Sequence, residues 1–146
     1  MQKILVAVNG SKHSEKVADF AADLAKELSA QIVLIFVMPR PDVPDDYADY
    51  ARREVLKNPV ASYLNTVSEQ IIGKLGARIK KKGVEFEGIY HLGNPVQKII
   101  ETAEAKKVEL VIVGMHGLHR VGRLWALGSV SRKIIENSPV PVLVVP

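Results

Sequence analysis

The feature that most restricts how this chain can fold is a regular alternation of two hydrophobic periods. Ile4 to Val8, Ile32 to Val37 and Leu110 to Val113 are short, unbroken apolar runs rich in β-branched residues, which suits strands buried on both faces of a parallel sheet. Between them the apolar residues recur at helical spacing. Val17, Phe20, Ala21, Leu24, Ala25 and Leu28 mark a first helix ending near Ser29, with Ser11 and Ser14 as candidate N-caps. Val60, Leu64, Val67, Ile71, Ile72, Leu75 and Ile79 mark a second, stopping at Gly83. Val84 to Leu92 reads as a third strand whose partial alternation suits a sheet edge. Gly93-Asn94-Pro95 then supplies an Asn cap with Pro at the first helical position, and Val96, Ile99, Ile100 and Ala103 form the buried stripe of a third helix. Val130, Ile134 and Ile135 within Ser129 to Asn137 mark a short fourth helix, and Pro139 to Val145 is a last strand whose prolines favour an edge.

The resulting order, β-α-β-α-β-α-β-α-β, calls for an α/β fold: one domain over residues 1–146 built on a doubly wound, five-stranded parallel sheet with four main helices. With the first strand central and the sheet growing outward on one side and then the other, the strand order is 3-2-1-4-5. Ligands in such sheets bind beyond the carboxyl ends of the strands, where the winding reverses. That places Asn9-Gly10-Ser11 beside the stretch from Gly114-Met115-His116-Gly117 to Gly128-Ser129. Glycines between a strand and a helix N-terminus suit an anion such as a phosphate, because backbone N–H groups can approach it and the helix dipole favours it; equally, glycines simply permit turns.

Composition narrows the partners. The chain has no cysteine, so neither a disulfide framework nor a thiolate metal site is available, and no apolar run approaches the ~18 residues of a membrane span. Met1-Gln2-Lys3 runs straight into Ile4, without the h-region or cleavage site of a signal peptide, so a cytoplasmic location is expected. The net charge of +4 is spread along the chain apart from Lys80-Lys81-Lys82, which reads as the solvated end of a helix rather than a nucleic-acid patch. Residues 39–59 hold Pro39, Pro41, Pro44 and Pro59 with Asp45, Asp46 and Asp49, the long connection of the fold.

The common catalytic fingerprints are missing. Gly73-Lys74 is followed by Leu75 inside a helical pattern and is no P-loop, no Gly-x-Gly-x-x-Gly follows the first strand, and no Gly-x-Ser-x-Gly elbow occurs. His13, His91, His116 and His119 are scattered, without metal-ligand spacing.

Strand Lys3 to Val8 with Asn9-Gly10-Ser11, the Gly93-Asn94-Pro95 helix start, the Gly114 to Ser131 loop and the terminal Ser138 to Val145 together resemble the universal stress protein family over essentially the whole chain. The resemblance implies a fold like the adenine nucleotide α-hydrolases and, in the family's nucleotide-binding branch, a loop of pattern Gly, two residues, Gly, nine residues, Gly-Ser/Thr around ATP. Carried over, Gly114, Met115, Gly117, Gly128, Ser129, Val130 and Ser131 border the phosphates and ribose. Val37 meets adenine, Asn9 stands where the family has an acidic residue, and Ala7 or Val8 borders the base. Ten residues separate Gly117 from Gly128, one more than the pattern, and Arg120 and Arg123 within that stretch are available to phosphate.

The resemblance implies an ATP-binding regulatory protein of the stress response, with Mg²⁺ or Mn²⁺ bound through the phosphates and pairing of two subunits through Val140 to Val145. No membrane or nucleic-acid partner is expected. The alternative is a homodimer that works through protein partners without nucleotide. No general base stands out, so any hydrolysis is expected to be slow; an enzyme would need a base from Asp45, Asp46 or Asp49.

Overall fold

The structure is a computed structural model that describes residues 1–39, 59–115 and 127–146. In chain order the elements are β1 (Lys3–Val8), α1 (His13–Leu28), β2 (Gln31–Met38), α2 (Pro59–Lys81), β3 (Phe86–Leu92), α3 (Pro95–Ala105), β4 (Leu110–Gly114), α4 (Ser129–Asn137) and β5 (Val142–Val145). The five strands form one sheet in the order β3-β2-β1-β4-β5, every pair parallel. The expected 3-2-1-4-5 winding is therefore the observed one. Val6 is paired with Leu34 on one side and Ile112 on the other, so β1 is the central strand from which the sheet grows in both directions.

The unbroken apolar runs are explained by coverage on both faces. Ile4, Val6, Ile32 and Leu34 pack with Val17, Ala21 and Ala25 of α1 and Leu75 and Ile79 of α2. Leu5, Val33, Ile35 and Val111 point the other way, toward Ile99 and Ala103 of α3 and Ile134 of α4. Successive strand residues alternate faces, so each strand needs apolar residues at every position when helices cover both sides. Ala18, Ala21, Ala22 and Ala25 are fully buried, and their short side chains allow α1 to lie close against the sheet.

Some element ends differ from the sequence reading, each for a local reason. Neither serine caps α1: the N-cap is Lys12, without a side-chain hydrogen bond, and the Ser14 hydroxyl is drawn back to Asn9. Strand β3 begins at Phe86 rather than Val84, because the Val84 N–H is taken by the Ile79 carbonyl in closing the end of α2. Strand β5 begins at Val142, after both prolines. By contrast, Asn94 caps α3 as expected, its Oδ1 accepting the Gln97 N–H at 3.1 Å ahead of Pro95. The lysine triplet is more engaged than a solvated helix end: Lys82 Nζ reaches Asp23 at 2.7 Å and the Asp19 carbonyl at 3.2 Å, while Lys80 lies 5.8 Å from the centre of the Phe86 ring.

Candidate functional site

Strands β1, β2 and β4 end side by side, and their carboxyl ends open into a cleft of about 600 Å³. This is where the winding reverses, because chains leaving β1 and β4 depart to opposite sides of the sheet. Ala7, Val8 and Asn9 reach the cleft from β1, Val37 from β2, Gly114 from β4, and Gly128, Ser129, Val130 and Ser131 from the start of α4. Nine residues singled out in the sequence, from four separate elements, thus line one cavity. Met115 is not among the lining residues. Its N–H donates to the Val145 carbonyl at 2.8 Å and its carbonyl accepts the Gly128 N–H at 3.1 Å, so it closes the loop at its root. Gly117, His116, His119, Arg120, Arg123, Asp45, Asp46 and Asp49 lie outside the described residues.

Three hydrogen bonds join Asn9 to Ser11 and Ser14. Asn9 Oδ1 accepts the Ser11 N–H at 3.0 Å and the Ser14 hydroxyl at 3.1 Å, while the Asn9 N–H donates to Ser14 Oγ at 3.2 Å. This short network turns the chain from β1 into α1. Ser131 is buried, and its hydroxyl donates to the Gly114 carbonyl at 2.7 Å, which ties the first turn of α4 to the end of β4. Gly114 itself is a point of close approach: a Cβ there would lie 2.8 Å from His13 Cδ2 and 3.1 Å from Val17 Cγ2.

Among the described residues, helix starts contribute backbone dipoles to the cleft. Helix α4 has Gly128 at its N-cap and no side-chain cap, so the N–H groups of Ser129, Val130 and Ser131 have no partner within the helix and face the cleft's end. Helix α1 also begins at the cleft without a side-chain cap. Among the described residues, none of those lining the cleft is Asp, Glu, Lys or Arg. Away from β4 and α4 the lining is apolar, with Val37 and Met38 at the end of β2. A divalent cation finds little here: the described residues contain no group of three His, Cys, Asp or Glu side chains that could hold a metal ion, and Asn9 Oδ1 is already engaged.

The sequence reading passed over His13, Phe36, Tyr63, Ile71 and Pro95, which also line the cleft. A signal was available for His13, four residues after Asn9, and for Pro95 in the Gly93-Asn94-Pro95 helix start; the others arrive through helix and strand packing that no local motif encodes.

Comparison with known proteins shows the family and the fold. The model of the universal stress protein family matches residues 1–146. The universal stress protein YxiE of Bacillus subtilis is 33% identical over 154 aligned positions, covering 98% of this chain and 97% of that protein. A solved universal stress protein in complex with cAMP is 27% identical with a TM-score of 0.67, covering 99% of this chain and 95% of that one. The structure of MJ0577 from Methanocaldococcus jannaschii, at 23% identity, has the same fold with a TM-score of 0.80, over 99% of this chain and 94% of that one.

Proposed function

The chain belongs to the universal stress protein family, and from that premise we propose that it is a cytoplasmic regulatory protein that binds ATP in the cleft and acts as a homodimer, with little or no hydrolysis. The observation that carries this reading is the uncapped N-terminus of α4, which presents the Ser129, Val130 and Ser131 N–H groups to a cleft whose other end is apolar. A phosphate satisfies those donors and an adenine ring covers the apolar end. The cAMP complex of a relative 27% identical to this chain supports an adenine nucleotide as the ligand class. In this reading Gly114, Gly117, Gly128 and Ser129 surround the phosphates and ribose, Val37 and Ala7 meet the base, and Mg²⁺ or Mn²⁺ travels with the phosphates. Among the described lining residues His13 is the one imidazole, and its Nε2 is engaged at the Val145 carbonyl.

The homodimer is supported by β5. It is an edge of the sheet, and Pro141 and Val145 direct their carbonyls to β4, so the alternating peptide groups of Val142 and Val144 face the open side. Beside it, Lys16 of α1 reaches the Pro146 carbonyl, and Phe20, one turn further along that helix face, is 42% exposed.

Nucleotide release from denatured protein, followed by calorimetric titration with ATP, tests the reading. Adenine nucleotide in the supernatant or saturable heat is expected; absence of both leaves a homodimer acting through protein partners. Ser129→Asp places a carboxylate where the phosphate would sit. It should favour α4 through the helix dipole, by about 0.3–1 kcal/mol, yet weaken nucleotide binding at least tenfold. Unchanged affinity in that variant counts against the assigned phosphate end.

A further inference from the structure

The Val145 carbonyl is shared by two donors from opposite ends of the sequence. It accepts the Met115 N–H at 2.8 Å and a hydrogen bond from His13 Nε2 at 3.0 Å. A carbonyl can only accept, so Nε2 is the donor in this bond. Each donor belongs to the cleft in its own way. Met115 is the root of the glycine loop, joined to Gly128 at the start of α4 by the Gly128 N–H. His13 is the first residue of α1, lines the cleft, and lies against Gly114 so closely that no Cβ fits there without displacing its ring.

The acceptor belongs to a different surface. Val145 ends β5, the edge strand, and its carbonyl is one peptide from that of Val144, the last to face the open side. Lys16 adds a second anchor from α1, its Nζ donating to the Pro146 carbonyl at 2.7 Å. The end of the edge strand is therefore held by the helix start that lines the cleft and by a loop root that is bonded to the lining residue Gly128.

We propose that His13 is a positioning residue that couples occupancy of the cleft to pairing of β5 with the β5 of a second copy of this chain; the inference rests on the function proposed above. A ligand that bridges α4 and the β1–α1 turn fixes both donors of the Val145 carbonyl. The end of β5 is then ordered before a second strand arrives, and pairing costs less conformational entropy. By linkage, dimerisation tightens nucleotide binding by the same factor as nucleotide tightens the dimer.

Sedimentation equilibrium of the full chain, without nucleotide and with ATP or AMP at concentrations saturating for each variant, tests this. In the wild type, nucleotide should lower the dimer dissociation constant by about fivefold or more. His13→Ala should bring that ratio to one, whereas His13→Gln, whose amide can donate to the same carbonyl, should retain it. A wild-type ratio of one in protein that binds nucleotide and dimerises overturns the coupling, as does a full ratio in His13→Ala. Should His13→Ala not fold, amide hydrogen exchange of residues 142–145 in wild-type monomer decides: slowing on addition of nucleotide supports the coupling, and unchanged rates overturn it. Wild-type protein that shows no calorimetric binding, or no dimer at any concentration, fails the underlying reading, and the coupling with it.

Discussion

Gly114 illustrates how one residue can answer two demands. In the sequence it opens a loop suited to phosphate, and in the fold it is also the place where α1 comes down onto the end of β4. A methyl group there would sit 2.8 Å from the His13 ring and 3.1 Å from Val17, a side chain only 2% exposed. Gly114→Ala should therefore destabilise the protein by about 1–3 kcal/mol, the usual cost of overpacking a filled interior. Urea denaturation measures this, and a loss below about 0.5 kcal/mol, the range of an ordinary surface substitution, would mean that α1 yields readily. Asn9 and Ser131 make a similar point. Both were singled out as ligand contacts, and both have polar atoms engaged in joining a strand end to a helix start. Their chemistry was legible from residue type, but their hydrogen-bond partners were not, because Ser131 bonds to a carbonyl on another element.

At the scale of elements, helices α1 and α2 are laced together by charges. Arg78 grips Asp19 with two hydrogen bonds, Nε to Oδ1 at 3.0 Å and Nη2 to Oδ2 at 2.6 Å. Lys74 reaches Glu15 at 2.7 Å and Lys82 reaches Asp23 at the same distance. The hydrogen bond from Arg78 holds the Asp19 carboxyl below its ordinary value of 3.8, outweighing the opposing effect of partial burial. The Lys74 ammonium lowers Glu15 in the same sense. A carboxyl depressed in the folded state favours folding at pH values above its unfolded value, and that contribution is lost as the pH falls through the lower folded value. Asp19→Asn should accordingly be less stable than wild type at neutral pH by up to about 1 kcal/mol, the range for exposed pairs. Thermal melts should show that difference shrinking as the pH is lowered below 3.8 and as salt is raised. A gap that persists in acid would assign the loss to packing instead. The helical spacing identified both helices from the sequence, yet the pairing of Asp19 with Arg78 across 59 positions depended on how the helices lie side by side.

For the whole molecule, the open side of β5 is where a second copy is expected. Val144→Pro removes one outward N–H while leaving the Val145 carbonyl and the bond from Met115 in place, and proline is tolerated on edge strands. Sedimentation should find the variant monomeric at concentrations where wild type is dimeric; a dimer of unchanged affinity would move the interface away from this edge. The sequence by itself determined the number, type and order of the strands and helices, because burial on both faces demands unbroken apolar strands and amphipathic helices between them. With those came the 3-2-1-4-5 winding and the loops that meet where it reverses. Only the tertiary structure decided which groups meet across the cleft and the edge. His13, Met115 and Val145 converge on one carbonyl because α1, β4 and β5 pack together, and contacts between residues more than a hundred positions apart leave no period or spacing in the chain.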